Sequence, residues 1–158
     1  MKKIRWTELI IFIVSAELTG AISALLAGSY KDFYASLIQP PFAPPSAVFP
    51  VVWGILYALM GISAYLIWKE PEDRGAYRST ALTLYAVQLA VNFVWSIIFF
   101  RFGLLTAAAV VAVILAALVG AMVYSFARVK NTAAWLNVPY LLWSIFAAYL
   151  AIGNAILN

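Results

Sequence analysis

The sequence contains no cysteine and no histidine, and only 10% of its residues are charged. Without cysteine there is no disulfide. Without either residue, the usual ligand sets for zinc and the His or Cys axial ligation of haem iron are excluded. The shortage of charge excludes more. Soluble domains carry roughly 25% charged residues, and this chain, 66% hydrophobic with a mean hydropathy of +0.97, lacks the surface to stay dissolved. It reads as an all-α integral membrane protein embedded in a lipid bilayer, with one domain over residues 1–158 and no metal or other cofactor.

Five apolar segments approach the roughly 20 residues that a bilayer crossing requires. They fall at about 6–27, 47–68, 79–100, 104–127 and 133–155, which predicts a five transmembrane helix bundle. The breaks between them are short and polar, except for a long first loop over 28–45. A charged start (Lys2, Lys3, Arg5) and Ala-Ile-Ser-Ala at 21–24 have features of a cleaved signal peptide. The apolar run is too long for one and is interrupted by Glu17, so it is read as a retained helix.

The net charge of +4 would raise nucleic acid as a partner in a soluble protein. Here the basic residues sit in interhelical loops, where they set topology, and no nucleic acid is expected. Lys2, Lys3, Arg5, Lys69, Arg74, Arg78, Arg128 and Lys130 lie on the N-terminal side, against Lys31 and Arg101 on the other. Positive residues favour the cytoplasm, which predicts a cytoplasmic N-terminus with the first loop and C-terminus outside. Small residues recur four apart at Ala16, Gly20, Ala24 and Gly28, and again at Ala112, Ala116 and Gly120. Such faces let helix backbones approach closely in lipid, either within one chain or across a homodimer.

Polar side chains within hydrocarbon face the bundle interior or a cavity. Gln88, Asn92, Trp95 and Phe99 form one stripe of the third span. Tyr140, Trp143, Ala147, Leu150 and Asn154 share a face of the fifth, and Trp53, Tyr57, Met60 and Ala64 a face of the second. Each stripe alone is explained by ordinary packing. At 1.5 Å per residue, however, Trp53 and Trp95 lie ~10 and ~8 Å from the loop end of their helices, and Ala147 and Trp143 ~12 and ~18 Å. Membrane tryptophans normally form a belt at the interface, as Trp6, Trp68 and Trp135 would. The deeper tryptophans predict a pocket for a flat apolar ligand beneath the first loop. Pro40, Pro41, Pro44 and Pro45 are expected to hold that loop extended as a lid, Ser46 to cap the second helix, and Pro139 to kink the fifth. Glu17, the one deep acid, is read as a hydrogen-bonded structural residue.

Several motifs together resemble the TspO/MBR family of tryptophan-rich sensory proteins, related to the mitochondrial translocator protein or peripheral benzodiazepine receptor. They are Pro44-Pro45, Val48-Phe49-Pro50, Trp53, Leu56-Tyr57 and Met60; Gln88-Leu89, Asn92, Trp95 and Phe99-Phe100; and Pro139-Tyr140, Trp143, Ala147, Leu150 and the closing Leu157-Asn158. The resemblance spans all five segments in order. It implies a bundle, often dimeric, that binds porphyrin or haem-type molecules and isoquinoline- or benzodiazepine-type ligands under the first loop. Carried over by position, the candidate ligand-binding set is Phe42, Phe49, Trp53, Tyr57, Asn92, Trp95, Tyr140, Trp143, Ala147 and Leu150. The primary expectation is a sensor or transport protein. The alternative, also implied by the resemblance, is a light-dependent porphyrin-degrading enzyme whose chemistry falls to the family tryptophans matching Trp53 and Trp143; no acid–base pair or nucleophile stands out in the sequence. The chain departs from the family pattern at Phe33 and Phe42, where tryptophan is frequent, and nothing basic follows Tyr149, so the animal members' cholesterol motif is absent.

Overall fold

The computed structural model describes residues 4–71 and 75–158; the topology determinants Lys2, Lys3 and Arg74 fall outside that range. Helix α1 spans Trp6–Ala27, α2 Tyr30–Ser36, α3 Val48–Trp68 and α4 Gly75–Ser96, the last running on into a π-helical turn at Ile97–Arg101. Helices α5 (Leu105–Val129), α6 (Asn131–Leu136) and α7 (Val138–Leu157) complete the chain. Five stretches are long and apolar enough to cross a membrane: Trp6–Ala27, Val48–Trp68, Tyr77–Arg101, Leu105–Val129 and Asn131–Leu157. At 1.5 Å rise per residue each covers the ~30 Å hydrocarbon layer. The protein is therefore a multi-pass, all-α membrane protein.

Three local readings are corrected. The first loop is not extended throughout, because α2 occupies its first half. Phe33 packs edge-on against Phe99 and Phe100, and Tyr34 against Phe49, so helical spacing is what lets neighbouring rings reach different partners. Ser46 provides no side-chain cap to α3; the backbone carbonyls of Pro45 and Ser46 accept from Val48 and Phe49 N–H instead. Pro139 does not kink a continuous helix. The chain breaks at Asn137, and Pro139 lies in the first turn of α7, where its missing N–H has no intrahelical partner to lose. Asn137 is wholly buried at the break and donates from Nδ2 to Ser63 Oγ (2.6 Å) and to the Ala133 carbonyl (3.0 Å).

Helix α5 packs along both α4 and α7, and α1 packs along α3. One buried cluster, including Met60, Ala64, Tyr85, Val119, Met122, Phe126 and Tyr140, fills the half of the bundle nearer the N-terminus. A second, with Trp95, Phe99, Ala108, Ala112, Ala148 and Ala151, lies beneath the first loop. Both small-residue faces are used in part within the chain: Ala16 and Ala112 are buried, Gly120 meets Leu141 and Gly20 meets Tyr57, while Ala24 and Gly28 stay exposed. The loop is pinned to the end of α7. Asn158 bonds both the N–H and the carbonyl of Ile38, Tyr149 donates to the Pro41 carbonyl (2.8 Å), and Pro40 seats against Gly153, where a β-carbon would leave only 2.5 Å.

Candidate functional site

The geometry of α1 against α3 creates the main cavity. Near the N-terminal end the two backbones almost touch: a β-carbon on Gly61 would stand 2.6 Å from Ile13 Cα. Further along, the Tyr57 ring fills the space opposite Gly20. By Gly54 nothing lies within 4 Å, so the helices have diverged. The gap is a cavity of about 270 Å³ bounded by α1, α3, α4 and the π-turn. Glu17 and Tyr57 stand among its lining residues toward the membrane interior, and Tyr30 and Phe100 among those at the loop end. Ala21, Ala24 and Pro50 on its rim are exposed, so small side chains frame its opening between α1 and α3.

Five of the ten candidate residues, Phe49, Trp53, Tyr57, Asn92 and Trp95, line this cavity. Trp53 lies 5.7 Å from Tyr57 and 6.1 Å from Tyr140 between ring centroids. The Trp95 indole N–H donates to the Ala108 carbonyl (3.0 Å) and its ring stacks on Phe99, so toward the cavity it presents carbon rather than a donor. The π-turn widens the end of α4, with the Phe102 N–H reaching back to Ile97. Through it Phe99 is buried in the second cluster while its neighbour Phe100 lines the cavity.

The other five stand elsewhere. Tyr140 is one layer behind: its hydroxyl donates to Gln88 Oε1 (2.7 Å) and accepts from Asn92 Nδ2 (3.1 Å), tying α7 to α4. Trp143 is separated from the cavity by Phe49, whose ring it meets edge-on at 6.2 Å, and faces a shallow apolar groove with Val52, Pro139 and Phe146. Leu150 is buried and Ala147 half-buried on α7, and neither lines the cavity. Phe42 is 89% exposed, at a left-handed φ of 65°, and its ring lies away from the cavity.

The α1 wall was absent from the candidate set. Glu17, Gly20, Ala21, Ser23, Ala24 and Ala27 all line the space. The signal was present as a small-residue face carrying one acid, but lipid and protein interior are equally apolar, so nothing in the sequence said which way α1 turns. Ser23 bonds the Phe93 carbonyl (2.7 Å) and Ser96, which closes the α4 side. Glu17 corrects its earlier reading: among the described residues it makes neither a hydrogen bond nor an ion pair.

No group of three or more His, Cys, Asp or Glu suited to a metal occurs among the described residues. The arrangement is an aromatic-walled hollow in which the polar groups of Ser23, Asn92, Trp95 and Ser96 are already bonded. Such a hollow suits burial of an apolar, planar molecule.

Related sequences match the chain over most of their length. The chain is 39% identical to a translocator protein of Ovis aries over 125 residues, covering 79% of this chain and 74% of the relative. It is 36% identical to the tryptophan-rich protein TspO of Chlorobaculum tepidum over 122 residues, 75% of this chain and 74% of that one. Against the tryptophan-rich sensory protein of Cereibacter sphaeroides it is 32% identical over 145 residues, 92% and 87% of the two chains. With residues 9–156 also matching the model of the TspO/MBR family, the five-span bundle and its tryptophan-bearing motifs belong to a member of that family.

Proposed function

We propose that this protein binds tetrapyrroles, porphyrin or haem-type, as a membrane sensor or transport protein, and that isoquinoline- or benzodiazepine-type ligands enter the same site beneath the first loop. Membership of a family whose relatives are named translocator and sensory proteins supports the sensing or transport role. The observation that carries the ligand reading is the cavity walled by Phe49, Trp53, Tyr57, Trp95 and Phe100. Flat rings stack on such walls, and apolar burial supplies the binding energy. At about 270 Å³ the cavity takes one edge of a macrocycle, with the remainder at the opening between α1 and α3. Lys31 and Arg101, next in sequence to the lining residues Tyr30 and Phe100, place positive charge at the loop end for a porphyrin's carboxylates.

With no His or Cys to ligate iron, metal-free protoporphyrin binds at least as well as haem on this reading. Titrating both against tryptophan fluorescence tests it. Binding of haem alone, with the spectrum of ligated iron, overturns it. The photochemical alternative draws less support, because Trp53 lines the cavity while Trp143 stands behind Phe49.

For orientation we propose the N-terminus in the cytoplasm. Arg5 over Trp68, Arg78 on the Trp68 carbonyl and Lys130 on Glu70 gather at one end of the bundle, and Arg101 bonds the Leu26 carbonyl at the other. That asymmetry supports a cytoplasmic N-terminal end. For a homodimer contact the small-residue faces are partly available: Gly20, Ala112 and Gly120 meet neighbours within the chain, whereas Ala24 and Gly28 are exposed.

A further inference from the structure

We propose that the cavity between α1, α3 and α4 also takes small aromatic cations, molecules carrying a protonated nitrogen, with Glu17 as their counter-charge. The proposal rests on the reading of that cavity as a ligand site and adds a ligand class to it.

Glu17 lies ten residues before the end of α1, ~15 Å down the helix at 1.5 Å per residue, in a segment that otherwise carries only one other acid, Glu8, near its start. An ionisable group at that depth is costly unless it faces a cavity or a partner. It faces the cavity and has no partner among the described residues. Several neighbouring polar groups are already committed, while the Trp53 N–H and the Tyr57 hydroxyl, which carry no charge at pH 7, make no hydrogen bond among the described residues. Ser23 and Ser96 bond each other and the Phe93 carbonyl, Asn92 donates to Tyr140, and the Trp95 N–H serves the Ala108 carbonyl. The carboxyl is thus the cavity's main uncommitted charge-bearing group.

What surrounds it sets the sign of the ligand. Trp53, Tyr57 and Trp95 line the same space, and aromatic rings carry negative electrostatic potential on their faces, which attracts cations. A carboxylate lining one space with several aromatic rings is the chemistry that recognises an ammonium group. The same carboxylate repels acids, so a ligand with an acidic edge must turn that edge toward the loop end. The volume of about 270 Å³ matches a bicyclic aromatic amine more closely than a whole macrocycle.

The test uses two probes of one shape, 1-naphthylmethylamine, a cation at pH 7, and 1-naphthalenemethanol, which is neutral. Binding of each to the full chain in lipid nanodiscs is measured by tryptophan quenching, with empty nanodiscs as the blank. The amine is expected to bind the unmodified protein about tenfold or more tightly than the alcohol, a preference that cation–π contacts and a close pair of opposite charges support. Glu17→Gln is expected to bring that ratio to about 1, a readout of charge recognition. Equal binding of the two probes to the unmodified protein, or an unchanged ratio in Glu17→Gln, overturns the role of Glu17 and leaves the cavity reading standing. Binding of neither probe overturns the cavity reading itself. Should Glu17→Gln fail to fold by its helical circular dichroism, the amine-to-alcohol ratio of the unmodified protein decides alone.

Discussion

Gly20 of α1 sits directly against the ring of Tyr57 on α3, with no room between them for a β-carbon. The pair marks where the close α1–α3 contact ends and the cavity begins, since Gly54, one turn further along, faces open space. Packing and site are therefore set by the same contact. Gly20→Ala is expected to push the Tyr57 ring aside and destabilise the protein by about 1–3 kcal/mol, as overpacking does. Combining it with Tyr57→Leu should recover part of that loss, because neighbouring substitutions are not additive. Thermal unfolding of the single and double variants measures both.

Gly61 offers a harsher version. A β-carbon there meets the backbone of Phe12 and Ile13 rather than a side chain. Backbone cannot swing away, so α1 and α3 must separate along their length. Gly61→Ala is expected to lower the melting temperature more than Gly20→Ala, whereas Gly54→Ala should leave it nearly unchanged.

The Gln88–Tyr140–Asn92 chain predicts a cost for removing one hydroxyl. Tyr140→Phe leaves Gln88 Oε1 and Asn92 Nδ2 without their buried partner. A loss of about 1–2 kcal/mol is expected, the range for an orphaned buried polar group. Adding Gln88→Leu should return part of it, and a double-mutant cycle measures the coupling.

Outside the spans, Tyr34 on α2 donates to the Pro44 carbonyl (2.9 Å), and burial pushes its phenol pKa up from the ordinary value near 10. The folded state thus favours the neutral phenol. Its contribution to stability is complete below pH ~10 and is lost as pH rises through the raised folded-state value. Melting temperatures at pH 7 and pH 11 should differ less in Tyr34→Phe than in the unmodified protein.

The loop pin at Asn158 predicts a local effect. Asn158→Ala removes both bonds to Ile38, so the Ile38 amide should exchange its hydrogen about tenfold faster or more, as amides do when opening becomes local. Amides in the middle of α5 should not change.

Much of this architecture was legible in the sequence, because a bilayer demands long apolar runs and punishes charge within them. The five spans lie within a few residues of their expected places, and the stripe Gln88, Asn92, Trp95 and Phe99 is buried along its whole length. The rotation of each helix was less legible. On α7 the buried face carries Tyr140, Ser144, Ala148, Ala151 and Asn154, which leaves Trp143 to one side. The break at Asn137 depends on a partner, Ser63, that lies on another helix. Helix α2 arose in a segment where the prolines were read as dictating extension, yet they all follow it. The α1 wall was missed because small residues signal close packing equally well whether a helix neighbour or a ligand fills the space.

The central claim is that the hollow between α1, α3 and α4 is where an apolar planar ligand binds. Titration of metal-free protoporphyrin in the dark, followed by quenching of tryptophan fluorescence, tests it most directly when the unmodified protein is compared with Gly54→Leu. The leucine side chain projects into open space at Gly54, so the fold should hold while the cavity fills. Saturable quenching in the unmodified protein, weakened about tenfold or more in Gly54→Leu as a blocked apolar pocket requires, is the expected result. Equal binding by the two proteins, with Gly54→Leu fully folded, would contradict the account.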